Sequence, residues 1–233
     1  MSGGDEKSPK EKAESMDKIS REIFKDAYPA IADKIINVTK ISKGKCIDAG
    51  CGPGMLGISL AKKTTLSVDL LDLSKESGEI CTRNLESENL RNRCRFVLGD
   101  VMQMPFEKNY ADLVVSRGSI FFWEDLGKAF AEILRVLIPG GIAFIGGGFG
   151  STRIEDEIIK RMEKEYPEWR KSEKKGKEET IKKRIRIVKA LENEEIPYEI
   201  LKDDSGFWVI LRKKKEFSVE IIREREAVVE FLI

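Results

Sequence analysis

The sequence of 233 residues contains no histidine, and that absence excludes several kinds of active site. Without an imidazole there is no Ser/His or Cys/His nucleophile pair, no histidine-ligated zinc or haem, and no imidazole general base. The four cysteines include no Cys-x-x-Cys pair, so the sequence predicts neither a disulfide framework nor a metal site. Any proton removal must therefore fall to a carboxylate, a tyrosine or a lysine.

The chain also has almost no net charge. Its 42 Lys and Arg residues stand against 41 Asp and Glu residues, which leaves a formal charge of +1, so no global field attracts nucleic acid. The sequence has neither an apolar leader nor a long uncharged apolar run. We therefore expect a protein of the reducing cytoplasm that does not enter a membrane.

Composition divides the chain into three parts. Residues 1–15 are charged, small and Pro/Gly-containing, so a disordered N-terminus is predicted. Residues 16–212 are expected to form one domain, within which residues 151–176 form a possible lid or substrate-binding insert. Residues 213–233 are a C-terminal extension whose pattern is ambiguous between strand and helix.

Hydrophobic periodicity predicts an α/β fold. Residues 16–38 have helical spacing, and Pro29 is expected to split them into two helices. Beyond them, short apolar runs alternate with helical segments, as in a parallel sheet with helices on both faces. The predicted strands are 45–48, 66–71, 95–98, 112–116 and 142–145, and the helices between them are 56–61, 75–88 and 125–137.

The last part of the domain has a different pattern. Residues 151–176 are strongly charged and predicted helical, with a break at Pro167. A buried helical stripe is then predicted at Ile181, Ile185, Val188 and Leu191. Two apolar runs, 198–201 and 207–211, flank a Lys-Asp-Asp-Ser-Gly turn and predict an antiparallel hairpin.

A glycine-rich loop, residues 50–54, follows the first predicted strand. Alternate glycines let the backbone approach a ligand closely and present free N–H groups to it. Gly52 and Gly54 also begin a literal Gly-x-Gly-x-x-Gly, with Asp72 twenty residues further on, so a dinucleotide oxidoreductase is one alternative. However, Gly52 lies four positions past Asp48, whereas a dinucleotide site has its first glycine directly after the strand. A carboxylate at that position suits a ligand that carries an ammonium group and no pyrophosphate.

These residues resemble those of the class I S-adenosylmethionine-dependent methyltransferases. The resemblance extends from about residue 43 to residue 212 and includes five motifs in the family's order: 48–54, 72–74, 99–101, 110–116 and 134–141. It implies a Rossmann-like seven-stranded sheet with helices on both faces and a C-terminal antiparallel hairpin. It also implies S-adenosylmethionine as methyl donor and S-adenosylhomocysteine as product.

The resemblance assigns cofactor contacts to four chain segments. The first motif would hold the methionine part, Asp72 both ribose hydroxyls, and Asp100 the adenine amino group, while the strand end at Ser116 passes beneath the sulfonium. Asp69 is the competitor for the ribose role, but it lies inside its strand. The implied cofactor-binding residues are Asp48, Ala49, Gly50, Gly52, Asp72, Leu73, Asp100, Val101, Ser116 and Arg117.

The methyl acceptor is specified less well, and no catalytic residue is assigned. Arg117 can pair with the carboxylate of the cofactor or with an anionic substrate. The aromatic residues 121–123 can line a pocket or pack on the sheet. A small-molecule acceptor is expected. Two alternatives stay open: an RNA or protein acceptor, and a module that binds S-adenosylmethionine (SAM) without turnover. The sequence does not determine the oligomeric state.

Overall fold

The computed structural model describes residues 7–203 and 205–215, with the backbone alone for residues 169–178, 202 and 203. Helices and strands alternate over these residues as the sequence predicted. The helices are α1 (Pro9–Glu22), α2 (Ala27–Thr39), α3 (Met55–Lys63), α4 (Lys75–Ser87), α5 (Leu126–Val136), α6 (Thr152–Glu165) and α7 (Trp169–Asn193). The strands are β1 (Lys45–Ala49), β2 (Ser67–Asp72), β3 (Cys94–Leu98), β4 (Ala111–Arg117), β5 (Leu137–Gly148), β6 (Tyr198–Asp203) and β7 (Gly206–Arg212).

The seven strands form one sheet in the order β3-β2-β1-β4-β5-β7-β6. The first five strands are parallel, whereas β7 runs antiparallel to both β5 and β6. The predicted seven-stranded α/β sheet with a closing antiparallel hairpin is therefore confirmed. Strand order reverses between β1 and β4, and in open α/β sheets a ligand binds outside the carboxyl ends of the strands at such a point.

The core has one half on each face of the sheet because successive strand residues point to opposite sides. On one face Cys46 and Val115 pack with α2, α3, α4 and α6. On the other face Ile47 and Val114 pack with α5 and α7. No helix among the described residues is long and apolar enough to cross a membrane.

The prediction that residues 1–15 are disordered is wrong from Pro9 onward, where α1 begins. Ser8 caps this helix: its hydroxyl accepts from the Glu11 N–H, and the Glu11 carboxylate accepts in return from the Ser8 N–H. Pro9 occupies the first helical turn, where a missing N–H costs nothing. Residues 1–6 lie outside the described part of the chain.

The helical segment 16–38 does divide in two, but not at Pro29. The chain breaks between Glu22 and Ala27, and Pro29 lies in the first turn of α2, where proline is tolerated. Arg161 of α6 stabilises the connection between α1 and α2, because its guanidinium donates to the Ile23 carbonyl at 3.2 Å and to Asp26 Oδ2 at 2.8 Å.

Two of the four residues predicted for the buried stripe on α7 are exposed. Ile181 and Ile185 are 56% and 50% exposed, whereas Ile187 and Leu191 are the buried residues. Arg186 fixes this orientation, since its guanidinium donates to the main-chain carbonyl of Trp123 at 2.8 Å. After β7, residues 213–215 belong to no helix or strand, and residues 216–233 of the predicted C-terminal extension lie outside the described residues.

Candidate functional site

A glycine loop at the reversal of strand order forms the floor of a cleft. The loop leaves β1 at Gly50, and two of its N–H groups, those of Gly50 and Cys51, donate to the Leu71 carbonyl at 2.8 and 3.0 Å. Gly50 and Gly52 have φ of +71° and +52°, in the left-handed region that favours glycine. A side chain on Gly50 would collide with Ser119, whereas a Cβ on Gly52 would meet no protein atom within 4 Å. Gly52 therefore faces open space.

Asp72, at the end of β2, shapes this loop directly. One of its carboxylate oxygens accepts from the Gly52 N–H at 2.8 Å, and the other accepts from the Ser74 N–H at 3.0 Å. Each oxygen has a second lone pair, so the carboxylate keeps acceptor capacity for a ligand. Asp69 is instead buried and engaged by Arg95 at 2.6 Å and by the Tyr110 hydroxyl at 2.7 Å. Of the two aspartates, only Asp72 borders the cleft described below.

Asp48 is the one carboxyl group whose ionisation is strongly shifted in the cleft. It is 1% exposed, and burial, together with the negative charge of Asp72, raises its pKa to about 7. The Gly57 N–H donates to its Oδ2 at 2.8 Å and opposes that shift. The carboxyl group is therefore poised to lose its proton when a cation arrives nearby.

Two adjoining cavities, of about 260 and 200 Å³, make up the cleft. Both are bordered by Gly50, Asp72, Ser119 and Phe122, so they form one continuous site. Of the predicted residues, Asp48, Gly50, Gly52, Asp72 and Arg117 line the first cavity, and Gly50, Asp72, Leu73 and Val101 line the second. The structure thus brings seven of the ten together.

The other three predicted residues, Ala49, Asp100 and Ser116, do not line either cavity. Ala49 is fully buried at the end of β1. Asp100 turns back to accept from the Met102 N–H at 2.8 Å. Ser116 is also fully buried, and its Oγ lies 2.6 Å from that of Ser119.

Ser119, which sequence reasoning did not select, connects the parts of the site. Its hydroxyl donates to the Ala49 carbonyl at 2.9 Å and accepts from the Trp123 indole N–H at 3.2 Å. The residue therefore joins the ends of β1 and β4 to the aromatic wall of the second cavity. The close approach of Gly50 to a residue beyond β4 could not be read from the sequence, because the two lie 69 positions apart.

The roof of the first cavity comes from α1 and α2, through Met16, Ser20 and Tyr28. The Tyr28 hydroxyl donates to Ser20 Oγ at 3.0 Å and so joins the two helices. Residues 151–168, the described side chains of the proposed lid, line neither cavity, since Ile154 and Ile158 are buried in the core.

Asn84 of α4 connects that roof to the glycine loop. Its amide nitrogen donates to buried Asp17 of α1 at 2.8 Å and to the Pro53 carbonyl at 2.9 Å. Asn84 therefore connects the roof of the cleft to its floor, and a movement of α1 would be transmitted to the glycine loop.

Arg117, at the end of β4, lies among aromatic rings. The centre of its guanidinium is 4.7 Å from the Phe24 ring centroid, 5.2 Å from that of Tyr28 and 5.9 Å from that of Phe149. Its Nε donates to the Gly148 carbonyl at 3.2 Å. Cations over aromatic faces gain roughly 0.5–2 kcal/mol, which helps this charge to persist in a half-enclosed position.

The cysteines offer no nucleophile. All four are buried, and burial raises the pKa of the Cys46 and Cys51 thiols well above the ordinary value. The thiolate is the reactive form, so a raised pKa suppresses attack. Asp125 also has a structural role, because its carboxylate caps α5 by accepting from the Lys128 N–H at 2.9 Å.

Comparison with known proteins identifies the relatives of this chain. Residues 47–145 match a family model described as a methyltransferase domain. A solved structure from Methanococcus maripaludis, of a protein assigned to the S-adenosyl-L-methionine-dependent methyltransferases, is 44% identical with a TM-score of 0.83. The match covers 94% of this chain and 99% of that one.

Curated relatives share the central part of the domain. Sterol 24-C-methyltransferase of Aspergillus fumigatus is 38% identical over 98 residues, which are 42% of this chain and 26% of the relative. The chloroplastic 2-methyl-6-phytyl-1,4-hydroquinone methyltransferase of Arabidopsis thaliana is 31% identical over 134 residues, which are 55% of this chain and 39% of the relative. The match therefore spans less than half the length of these relatives.

Proposed function

This chain belongs to the class I S-adenosylmethionine-dependent methyltransferases, and from that membership we propose that it methylates a small-molecule acceptor. The observation that carries the proposal is that the Gly52 N–H donates to Asp72 where both residues border the first of two joined cavities. Gly50 and Asp72 border both cavities, and the second cavity adds apolar side chains.

The residues of the cleft fit S-adenosylmethionine. Asp72 keeps free acceptor capacity for a vicinal diol, and the acidic pair Asp48 and Asp72 suits a cationic ligand. Leu71, Val101 and Trp123 offer an apolar slot for a flat heterocycle in the second cavity. When bound, the cofactor supplies an electrophilic methyl group on a sulfonium centre.

The chain contributes to the reaction mainly by placing the acceptor. Positioning alone lowers a displacement barrier substantially, and a base is needed only when the acceptor must lose a proton. The proton-accepting groups that border the first cavity include Asp48, Asp72, Cys51 and the Tyr28 hydroxyl. The first two face the cofactor and the thiol is held protonated, so we propose an acceptor that is already nucleophilic, or one assisted by Tyr28.

A small acceptor is supported by the roof. Helices α1 and α2 border the first cavity through Met16, Ser20 and Tyr28, and this partial cover favours a small acceptor. Helix α6 mixes four basic with five acidic residues, and two of its arginines are paired: Arg153 with Glu157, and Arg161 with Asp26. No continuous basic face therefore extends along the described side chains of that helix. The names of the sterol and hydroquinone relatives describe small-molecule acceptors as well.

Calorimetry with S-adenosylhomocysteine tests the cofactor assignment. Asp72→Ala should weaken binding by about 1–3 kcal/mol, because charge-assisted hydrogen bonds are lost and the loop loses its anchor. Asp69→Asn is the matched control on the same strand, and it should lower the unfolding midpoint while leaving affinity unchanged. Equal binding by wild type and Asp72→Ala would remove Asp72 from the site.

Transfer of a labelled methyl group tests the acceptor class. The enzyme and methyl-tritiated S-adenosylmethionine are incubated with a cell extract that is then dialysed. A labelled dialysable product that chromatography separates from S-adenosylmethionine, and that is absent without the enzyme, supports a small-molecule acceptor; label retained only with RNA or protein overturns it. Tight cofactor binding without labelled product in either fraction would indicate a module that binds S-adenosylmethionine without turnover.

A further inference from the structure

Arg117 carries a positive charge that the described part of the protein leaves without an acidic partner. Three other arginines of this charge-dense chain have acidic partners: Arg95 with Asp69, Arg135 with Glu132, and Arg161 with Asp26. No described carboxylate lies within 4.0 Å of the Arg117 guanidinium, and its one hydrogen bond to the described residues is from Nε to the Gly148 carbonyl.

The surroundings of Arg117 fix the direction of the guanidinium. Phe24, Tyr28 and Phe149 contribute rings around it, and Phe24 stacks on Phe149 with centroids 5.9 Å apart. The Nε atom donates to the Gly148 carbonyl, whereas the terminal N–H groups of the guanidinium have no hydrogen-bond partner among the described residues. Arg117 also borders the first cavity. A planar fork of this kind matches a carboxylate through two parallel hydrogen bonds.

The rings around the fork come from parts of the chain other than the glycine loop, although the fork and that loop border the same cavity. Phe24 lies in the α1–α2 connection, Tyr28 in α2, and Phe149 directly after β5. Asp72 ends β2 and Arg117 ends β4, so β1 and the point where strand order reverses lie between the two residues. The aromatic rings also provide an apolar surround for the body of a ligand whose charged end meets the guanidinium.

We propose that Arg117 is a specificity-determining residue that binds a carboxylate of the methyl acceptor, so that the substrates are small carboxylic acids with an apolar or aromatic body. This inference rests on the proposed function and narrows its substrate class. The competing assignment, in which Arg117 holds the carboxylate of the cofactor itself, predicts a different set of binding losses and is decided by the same experiment.

The test compares benzoate with benzamide, a neutral molecule of the same shape, by ligand-observed NMR titration. The titrations use protein saturated with S-adenosylhomocysteine and are repeated without it, so that the anion result stands independently of cofactor binding. Wild type should bind benzoate at least about tenfold more tightly than benzamide. Arg117→Met should abolish that preference, and Arg117→Lys, which keeps the charge without the fork, should recover only part of it.

Lys45→Met is the matched control. Lys45 also lies over an aromatic ring, 4.1 Å from the Tyr110 centroid, but it is at the amino end of β1, whereas Arg117 is at the carboxyl end of β4. This variant should keep the full preference for benzoate. Thermal unfolding of each variant in the absence of ligand verifies that it is folded, and Arg117→Lys serves if Arg117→Met does not fold.

The outcomes separate the two proposals. If benzoate and benzamide bind wild type equally, or if Arg117 variants keep the preference, this inference is overturned while the methyltransferase assignment stands. If Arg117→Met instead weakens S-adenosylhomocysteine by tenfold or more, the arginine belongs to the cofactor and the inference is likewise wrong. Failure of wild type to bind S-adenosylhomocysteine refutes the proposed function and with it the acceptor role of Arg117, whereas the titration without cofactor still reports whether Arg117 binds a carboxylate.

Discussion

At the scale of single residues, Gly52 borders the first cavity with open space in front of its Cα. Its φ is +52°, and an added Cβ would meet nothing within 4 Å. A methyl group there would project into the space that borders Asp72. A substitution at Gly52 therefore tests whether the turn needs glycine only for its conformation or also to leave space for a ligand.

We expect Gly52→Ala to weaken S-adenosylhomocysteine binding at least about tenfold in calorimetry, while the left-handed conformation costs roughly 1 kcal/mol of stability. Gly140→Ala is the control, because Gly140 has φ of +86° and faces only the flexible stem of Lys215, away from the cleft. The control should lose similar stability and no affinity. Unaltered binding by Gly52→Ala would show that the loop does not receive the cofactor.

Residue roles were predictable from the sequence only where strand ends position them. Asp48, Gly52 and Asp72 each follow or end a predicted strand, and the parallel sheet brings such positions to one edge. Ser119 and Met16 reach the cleft through contacts between distant parts of the chain, which periodicity does not report. Ser116 lines neither cavity, and its hydroxyl is engaged by Ser119.

At the scale of elements, α7 shows how a helical pattern can predict the wrong face. Residues 181, 185, 187, 188 and 191 are all apolar, so three- and four-residue steps fit two stripes equally well. Contact with α5 and the anchoring of Arg186 select the stripe that contains Ile187 and Leu191. Information of that kind lies in the partner surface and not in the helix itself.

Two isoleucines of α7 give a matched test of this orientation. Ile187→Ala removes a side chain that is 1% exposed and should cost about 2–4 kcal/mol of unfolding free energy. Ile185→Ala alters a side chain that is 50% exposed and should stay within about 0.5 kcal/mol of wild type. Urea unfolding measures both, and equal losses would contradict the orientation of the helix.

The N-terminal elements were missed for a related reason. The charged composition of residues 1–15 indicates disorder, yet Ser8 and Glu11 form a capping box that starts α1. The helix is then held by tertiary contacts, chiefly those of buried Asp17 with Asn84 and with Arg83 at 3.3 Å. A short capping signal was outweighed by average composition.

At the scale of the whole molecule, the absence of histidine simplifies the dependence of stability on pH. Asp48 has a folded pKa of about 7, well above its ordinary value of 3.8. A carboxyl group with a raised pKa favours the folded state fully below its unfolded pKa. That contribution is lost as pH rises through the folded pKa.

Asp48→Asn should therefore become more stable relative to wild type as pH rises from about 4 to about 8, by an amount on the order of a few kcal/mol. The amide keeps the buried contact without a charge to desolvate. Urea midpoints across this interval measure the difference. An Asp48→Asn curve that runs parallel to wild type would rule out the raised pKa.

The tryptophans give the molecule a property that follows from their placement. Trp208 is sealed in the core, while Trp123 donates to Ser119 and forms part of the wall of the second cavity. Indole fluorescence responds to what lies against the ring, so the emission of Trp123 carries an optical signal of occupancy on top of the emission of the other two tryptophans. The protein thus contains its own reporter, and ligands can be screened by light without attaching a dye.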